Sequence, residues 1–187
     1  EFKKGTGAMT DHEVTIVGAG FGGMGAAITL KSQGYDDVLI LEREDDLGGT
    51  WHVNHYPGLA VDIASVTYSY SFEPNPYWKH WFARGAELKQ YAEHVADKYD
   101  LRRHMEFGVL AEGARWDEDE QHWVLSTRPV GGGRRQTRTA RFLMTATGFL
   151  SQPKLPDIDG VEEFAGTVIH TAKWDDSADL DGKRIAV

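Results

Sequence analysis

The sequence predicts an α/β fold in which a parallel sheet is covered by helices and carries an inserted β-meander. Two short apolar segments, residues 13–17 and 37–42, have the composition of buried strands, and residues 21–33 between them have that of a helix. A strand, a helix and a second strand within this length form the unit of a parallel crossover. A glycine-rich turn between the first strand and the helix completes the pattern of a Rossmann-like, dinucleotide-binding domain.

Each element of this unit follows from its residues. The first strand, residues 13–17, is rich in β-branched side chains and ends directly at Gly18. The helix of residues 21–33 is rich in glycine and alanine, which lets it lie close to a sheet. It stops at Gly34, a residue suited to the C-terminal end of a helix. The second strand ends at Glu42.

The rest of the chain is predicted to contain loops, one more helix and the meander. Residues 43–83 show little periodicity and contain several glycine and proline residues, so we expect long ordered loops, which are usually functional in compact domains. The apolar positions of residues 85–100 keep helical spacing and predict an amphipathic surface helix. The meander is predicted from strand-like segments near residues 106–111, 121–128 and 136–146.

The composition excludes several classes of function. The chain has 187 residues with 29 acidic and 20 basic side chains, a formal net charge of −9, which argues against nucleic-acid binding. The absence of cysteine excludes disulfides, thiolate zinc sites, iron-sulfur clusters and dithiol redox couples, and it fits a reducing, cytoplasmic location. No apolar run reaches the roughly 18 residues of a membrane span, so no membrane partner is expected. One cluster of basic residues is expected to be solvated and without function: Arg134, Arg135, Arg138 and Arg141.

The clearest chemistry lies in the motif G-x-G-x-x-G at residues 18–23, between the predicted strand and helix. Gly18 permits the tight turn, Gly20 lets a pyrophosphate approach the backbone, and Gly23 lets the helix pack closely on the strand. The N-terminus of the helix supplies backbone N–H groups and partial positive charge to the phosphates. Glu42 is expected to accept hydrogen bonds from ribose hydroxyls, which selects FAD or NAD over NADP.

No metal site is predicted. His52 and His55 have the spacing H-x-x-H, but they lie in a predicted loop and lack the carboxylate-bearing helix motif of metal sites with this spacing. The nucleophile motif of serine hydrolases, the P-loop and the EF-hand loop do not occur in the sequence, which excludes hydrolase and kinase interpretations.

Three further segments resemble one enzyme family. Residues 48–51 (Gly-Gly-Thr-Trp), followed by residues 56–58 (Tyr-Pro-Gly) and Asp62, are similar to the flavin-side signature of Baeyer-Villiger monooxygenases, which are class B flavoprotein monooxygenases. Residues 146–148 (Ala-Thr-Gly) resemble the motif at which the chain of two-dinucleotide flavoproteins leaves the FAD domain. Residues 164–175 match the family fingerprint F-x-G-x-x-x-H-x-x-x-W-[P/D] at every fixed position, and its tryptophan favours the Baeyer-Villiger branch.

The resemblance implies roles for individual residues. Asp62 is expected to support a flavin-facing arginine of the family that lies outside this sequence. His170 is expected in the hinge between domains, where it is tied to NADPH-dependent turnover; a purely structural, hydrogen-bonded histidine is the alternative. Ala111 stands where the family commonly has valine, with a backbone contact to adenine. The residues expected to bind FAD are Gly18, Gly20, Phe21, Gly22, Gly23, Glu42, Arg43, Gly49, Thr50, Trp51, Tyr56, Asp62, Tyr68 and Ala111.

The resemblance also implies a reaction. In the family, NADPH reduces FAD, O₂ adds to give a peroxyflavin, and this species oxidises a small-molecule ketone to an ester or lactone. We expect this chain to be the FAD-binding part of such an enzyme, to lack most of the NADPH site and to be inactive alone. Two alternatives stay open: a sister class B monooxygenase that oxidises nitrogen or sulfur, and a non-catalytic flavin-binding module.

The domain organisation is predicted from the same segments. Residues 1–8, before Met9, resemble a vector scar, residues 9–149 are expected to form the FAD-binding domain, and residues 150–180 are expected to form the linker that carries the fingerprint. Residues 181–187 have the pattern of the first strand. We therefore expect them to begin an incomplete NADPH-binding domain, in a chain that is a fragment of a longer protein.

Overall fold

The computed structural model describes residues 9–150 and 152–187. Residues 1–8, predicted to be a vector scar, and Ser151 of the predicted linker lie outside the described residues. The strands are β1 (His12–Val17), β2 (Val38–Leu41), β3 (Met105–Glu106), β4 (Val109–Asp117), β5 (His122–Pro129) and β6 (Gln136–Thr145). The helices are α1 (Phe21–Ser32), the short α2 (Thr50–Val53) and α3 (Gly85–Lys98).

The six strands form one sheet in the order β3-β2-β1-β6-β5-β4. β1 pairs in parallel with β2 on one side and with β6 on the other, and β3 pairs in parallel with β2. β4, β5 and β6 pair antiparallel and form the meander. The predicted α/β fold, a parallel sheet with helices and an inserted meander, is confirmed.

Both faces of the central parallel strands are buried. On one face, β1 and β2 pack with α1 and α3 in a cluster that includes Val14, Ile16, Met24, Ile40 and Val95. On the other face, β2 packs with the meander in a second cluster of Leu39, Leu41, Leu125 and Ala140. Burial on both faces is the physical reason why these strands have nearly continuous apolar sequences. It also fixes the carboxyl ends of β1 and β2 side by side, next to the glycine-rich turn.

The predicted strand near residues 106–111 is two strands in the structure. β3 pairs in parallel with β2, whereas β4 belongs to the meander. Between them, Gly108 turns the chain with a φ of +68°. The N–H of Gly108 donates to the carbonyl of Glu44, and that of Val109 donates to the carbonyl of Glu42, both at 2.9 Å. The start of β4 is therefore attached to the carboxyl end of β2.

The helical content also differs from the sequence prediction in detail. The region of residues 43–83, predicted as loops, contains α2 and a 3₁₀ turn at Ser65–Thr67. Both are too short to produce a helical pattern in the sequence. The amphipathic helix predicted over residues 85–100 is α3, which ends at Lys98. No helix within the described residues has the length and apolar composition needed to cross a membrane.

One residue of the basic cluster of the meander, Arg138, is not solvated as predicted. Two guanidinium nitrogens of Arg138 each donate to the carboxylate of Glu106 at 2.6 Å, and the Arg138 side chain is only 17% exposed. Arg135 pairs with Glu112 at 2.6 Å, and Arg141 lies 3.6 Å from a carboxylate of β1. The prediction is wrong for Arg138, because the meander curls back toward the parallel strands and brings Glu106 next to it. Arg134 and Arg135 are exposed, as expected.

The chain after the meander is irregular and mostly exposed. Residues 152–187 contain 3₁₀ turns at Val161–Glu163 and Thr171–Lys173, and none of these described residues lies in a strand. Asp176 contacts the body of the domain, where its carboxylate lies 3.3 Å from Nε2 of His55. The strand expected at residues 181–187 stays a prediction.

A turn at residues 70–73 is attached to α3 by an ion pair between Glu73 and the half-exposed Lys98. The carboxylate of Glu73, whose side chain is 13% exposed, accepts hydrogen bonds from Nζ of Lys98 at 2.7 and 2.8 Å. It also accepts from the hydroxyl of Tyr99 at 3.0 Å. The hydrogen bond from Lys98 lowers the pKa of the Glu73 carboxyl below its ordinary value, and that from Tyr99 acts in the same direction.

This lowered pKa predicts a pH dependence of folding. A carboxyl whose pKa is lower in the folded state stabilises the fold above its unfolded pKa, and this contribution is lost as the pH falls through the folded pKa. We expect Glu73→Gln to be less stable than wild type at pH 7 and to lose less stability from about pH 5 to about pH 3. Urea unfolding at a series of pH values measures both effects. Glu163→Gln, at an exposed position, is the control; an unchanged pH slope in Glu73→Gln contradicts the prediction.

Candidate dinucleotide-binding site

The turn between β1 and α1 is built on two glycines that no other residue can replace without movement. Gly18 has a φ of +109°, and a Cβ at this position would lie 2.5 Å from the carbonyl oxygen of Ala146, which follows β6. A Cβ on Gly23 would lie 1.8 Å from the carbonyl oxygen of Gly18. The first turn of α1 therefore packs directly on the end of β1, as predicted for the third glycine of the motif.

The N-terminus of α1 is open to an anion. Gly20 precedes the helix and provides no side-chain cap, and the first turn contains no acidic residue. The N–H of Met24 donates to the carbonyl of Gly20 at 3.0 Å, so the N–H groups of Phe21, Gly22 and Gly23 have no intrahelical partner. These three donors and the positive end of the helix dipole suit a phosphate or pyrophosphate.

Glu42 lies beside this turn and is 6% exposed. Its Oε2 accepts a hydrogen bond from the N–H of Ala19 at 2.7 Å, and its Oε1 accepts one from the N–H of Glu44 at 3.0 Å. The carboxylate thus ties the glycine-rich turn to the chain that follows β2, a role that the sequence did not indicate. Each oxygen keeps a second acceptor position, so the predicted contact with ribose hydroxyls stays a prediction compatible with this geometry.

A second pair of glycines packs against the first turn. The N–H of Gly48 donates to the carbonyl of Ala19 at 3.0 Å. A Cβ on Gly49 would lie 3.0 Å from the Cα of Gly20, so the two segments approach backbone to backbone. α2 begins directly afterwards at Thr50. The structure therefore brings the two predicted glycine segments into one surface made almost entirely of main chain.

Three predicted aromatic residues form a cluster at this surface. The indole N–H of Trp51 donates to the hydroxyl of Tyr68 at 2.9 Å, and the two rings meet edge to face at a centroid distance of 5.6 Å. The ring of Phe21 meets Tyr68 in the same way at 5.7 Å. Phe21, Trp51 and Tyr68 come from three distant segments, and their contact places one aromatic wall next to both glycine pairs.

Two more predicted residues lie close to Glu42. Arg43 is the next residue along the chain, and its Nε donates to the carboxylate of Glu44 at 2.7 Å. Ala111 lies in β4, two residues after Val109, whose N–H donates to the Glu42 carbonyl. A β-bulge follows Ala111 and disturbs its ladder with β5. The backbone of Ala111 is thus near the end of β2, where an adenosine moiety is expected.

The other predicted residues are less closely placed. Asp62 is exposed and forms no hydrogen bond or ion pair with residues 9–150 or 152–187. Tyr56 lines a groove beside α2 together with Trp51 and His55. The Nδ1 atom of His170 accepts a hydrogen bond from the N–H of Ala172 at 3.1 Å and starts a 3₁₀ turn. This geometry gives His170 a structural role; its predicted role in turnover stays a prediction.

The two histidines with the spacing H-x-x-H, His52 and His55, each contact a different carboxylate. His52 Nε2 lies 2.7 Å from the carboxylate of Asp45, and His55 contacts Asp176. Within the described residues, no group of three or more histidine, aspartate or glutamate side chains has the geometry to hold a metal ion.

Sequence reasoning missed one residue that contacts the glycine-rich turn. The hydroxyl of Tyr70 donates to the carbonyl of Phe21, and its ring stacks on that of Phe21 at a centroid distance of 5.5 Å. The contact joins residues 49 positions apart. No local pattern predicts it, although a glycine inside the predicted helix, at position 25, was a usable signal for a close neighbour.

Comparison with known proteins agrees with this geometry. Residues 16–84 match a family model described as an NAD(P)-binding Rossmann-like domain. The chain is 42% identical over 186 residues to a Baeyer-Villiger monooxygenase of Streptomyces coelicolor, covering 96% of this chain and 35% of that protein. A Baeyer-Villiger monooxygenase of Pseudomonas aeruginosa is 43% identical over 179 residues, with 94% and 32% covered. The chain spans about a third of the length of these relatives.

The fold is also similar to that of solved structures. A structure of cyclohexanone monooxygenase from Rhodococcus sp. Phi1 bound to NADP⁺ matches with a TM-score of 0.79 and 35% identity, over 92% of this chain and 32% of that one. The sequence and fold relationships confirm the predicted resemblance to the FAD-binding part of these monooxygenases.

Proposed function

We propose that this chain, which matches the FAD-binding part of Baeyer-Villiger monooxygenases in sequence and fold, binds FAD and holds it in an NADPH- and O₂-dependent flavin monooxygenase. The observation that carries the proposal is the open N-terminus of α1 beside the buried carboxylate of Glu42. Donors for a pyrophosphate and acceptors for ribose hydroxyls are the two features that an FAD molecule requires at this end.

The residues present fit FAD along its length. The N–H groups of Phe21, Gly22 and Gly23 would hold the pyrophosphate, and the free acceptor positions of Glu42 would hold the adenosine ribose. The same carboxylate disfavours a 2′-phosphate, because two like charges would be forced together. The further contacts that we propose are Arg43 and the backbone of Ala111 on the adenosine side, and Gly49, Thr50, Trp51, Tyr56 and Tyr68 on the flavin side.

Bound flavin would supply the electron transfer from NADPH and the oxygen transfer to a ketone. The chain's own residues bind and orient the cofactor, and the aromatic wall keeps water from one side of it. The exposed carboxylate of Asp62 is free to support a cationic group at the reacting centre. We place His170 in the hinge of the intact enzyme, within a linker of residues 150–180, between an FAD-binding domain of residues 9–149 and an NADPH-binding domain that begins at residues 181–187.

Absorption spectroscopy tests the binding of FAD. We expect the purified chain, mixed with FAD and desalted, to keep a flavin spectrum with one FAD per chain, and we expect ADP to compete for the site more strongly than 2′-phospho-ADP. A chain that shows no FAD binding by titration contradicts the proposal.

Product analysis tests the reaction separately. For a chain of the relatives' length, NADPH, O₂ and a ketone should give an ester or lactone. Oxidised amines or sulfides without ketone oxidation would identify a sister enzyme instead. The 187-residue chain alone should give no product. Any turnover by it would contradict the proposal that this chain binds FAD but needs the rest of the enzyme for the reaction.

A further inference from the structure

We propose that Tyr70 is a positioning residue, which holds the first peptide of α1 in the orientation that a bound pyrophosphate requires. The inference rests on the proposed function, because it concerns how the FAD-binding turn is kept in shape. It assigns a role to a residue in the irregular segment between α2 and α3.

The glycine-rich turn needs such support. Of the six residues 18–23, four are glycine and one is alanine, so only Phe21 has a side chain large enough to anchor the segment by packing. Glycine has more backbone freedom than any other residue, and this freedom must be removed before three N–H groups can converge on one phosphate. The position of Phe21 therefore decides the position of the donors around it.

Tyr70 contacts Phe21 at both its side chain and its main chain. The two rings stack with an interplanar angle of 29°, and the Tyr70 hydroxyl donates to the Phe21 carbonyl. That carbonyl belongs to the same planar peptide unit as the N–H of Gly22, one of the three free donors. Fixing the carbonyl therefore fixes the direction of this N–H.

The surface of α1 leaves room for the Tyr70 ring at Gly25. A Cβ on Gly25 would lie 3.0 Å from Cε1 of the Tyr70 ring, so the ring lies against the helix where the side chain is missing. The absence of a side chain at Gly25 and the hydrogen bond at Phe21 are separate observations, and both indicate a ring fitted onto the first turn of α1.

Tyr70 is itself held firmly by α3. Its N–H donates to the hydroxyl of Tyr91 at 2.9 Å, and the Tyr91 hydroxyl donates to the carbonyl of Glu73 at 2.6 Å. The Tyr70 ring also stacks on Phe72 at 4.9 Å. Burial raises the pKa of the Tyr70 hydroxyl well above its ordinary value, with the neighbouring Tyr91 acting in the same direction. The hydroxyl therefore keeps its proton and remains a donor.

Tyr70→Phe tests the proposal because it removes the hydroxyl and keeps the ring. We expect the Kd for FAD to rise about 3- to 10-fold, the effect of one hydrogen bond, and the Kd for ADP to rise by the same factor. The melting temperature of the chain without FAD should stay close to that of wild type. Tyr99→Phe is the matched control: it removes a hydroxyl bonded to Glu73 that does not reach the turn, and it should leave both Kd values unchanged.

Gly25→Ala is a second test with a different signature. It raises the helix propensity of α1 but pushes the Tyr70 ring away, so FAD and ADP should bind more weakly without a loss of stability. Unchanged Kd values in Tyr70→Phe, or a rise for FAD but not for ADP, would overturn the role of Tyr70 at the pyrophosphate. If wild type binds neither FAD nor ADP, the proposed function itself fails, which distinguishes the two outcomes.

Discussion

Gly23→Ala is expected to destabilise the domain by at least about 3 kcal/mol and to abolish FAD retention. The added Cβ would lie 1.8 Å from the carbonyl oxygen of Gly18, and that oxygen belongs to the backbone at the end of β1. To relieve this overlap, α1 must move away from β1, the strand on which the core is built. Urea unfolding of the chain without cofactor measures the loss of stability, and flavin absorbance after desalting measures retention.

Gly22→Ala is the matched control for this substitution. It adds the same methyl group one position earlier, where the nearest atom is the Cβ of Ala146 at an ordinary distance of 3.7 Å. Because alanine favours helix over glycine by about 1 kcal/mol, the chain without cofactor should be as stable as wild type or slightly more stable. An equal loss of stability in both variants would mean that helix packing at Gly23 is not the cause.

Glu42→Ala is expected to reduce stability by about 2 to 3 kcal/mol and to weaken FAD binding by about 100-fold. The substitution leaves the buried N–H of Ala19 and the N–H of Glu44 without their acceptor. It also removes the acceptors proposed for the ribose. Glu42→Gln should fall between wild type and alanine, because one amide oxygen can replace one carboxylate oxygen. Chemical unfolding and fluorescence titration with FAD measure the two effects.

Glu44→Ala controls for the loss of an acid in the same turn. Its carboxylate pairs with the guanidinium of Arg43 at a partly exposed site, and pairs of this kind contribute little. Stability should change by less than about 1 kcal/mol. If Glu44→Ala weakens FAD binding as much as Glu42→Ala does, the effect comes from local charge and not from the bonds that Glu42 makes.

The sequence predicted the βαβ unit and its glycine turn because their causes are local. Gly18 and Gly23 are required by contacts within a few residues of themselves and by one neighbouring strand, and Glu42 follows at the end of the next strand. The acid was therefore placed correctly beside the turn. Its hydrogen bonds from two backbone N–H groups were missed. The spacing of residues in the sequence indicates where a carboxylate lies, but it does not indicate which donors of the protein bind to it.

Features that depend on distant segments were not predictable in this way. Arg138 and Glu106 meet only because the meander curls back toward β3, and the contact of Tyr70 with Phe21 depends on the path of a long irregular segment. The division of β3 from β4 rests on a single glycine, Gly108, with positive φ. Apolar periodicity carries no information on any of these.

The position of β1 between β2 and β6 has a consequence for the folding of the protein during its synthesis. β2 follows β1 closely in the sequence, whereas β6 follows much later. Asp11 and Thr139, which are 128 positions apart, are joined by hydrogen bonds of 3.0 and 2.8 Å. At a synthesis rate of about 5 to 20 residues per second, the edge of β1 that pairs with β6 stays unpaired for about 6 to 26 seconds. An unpaired strand edge is a template for pairing with another chain. The yield of folded protein therefore depends on keeping nascent copies apart during this interval, as well as on the stability of the finished sheet.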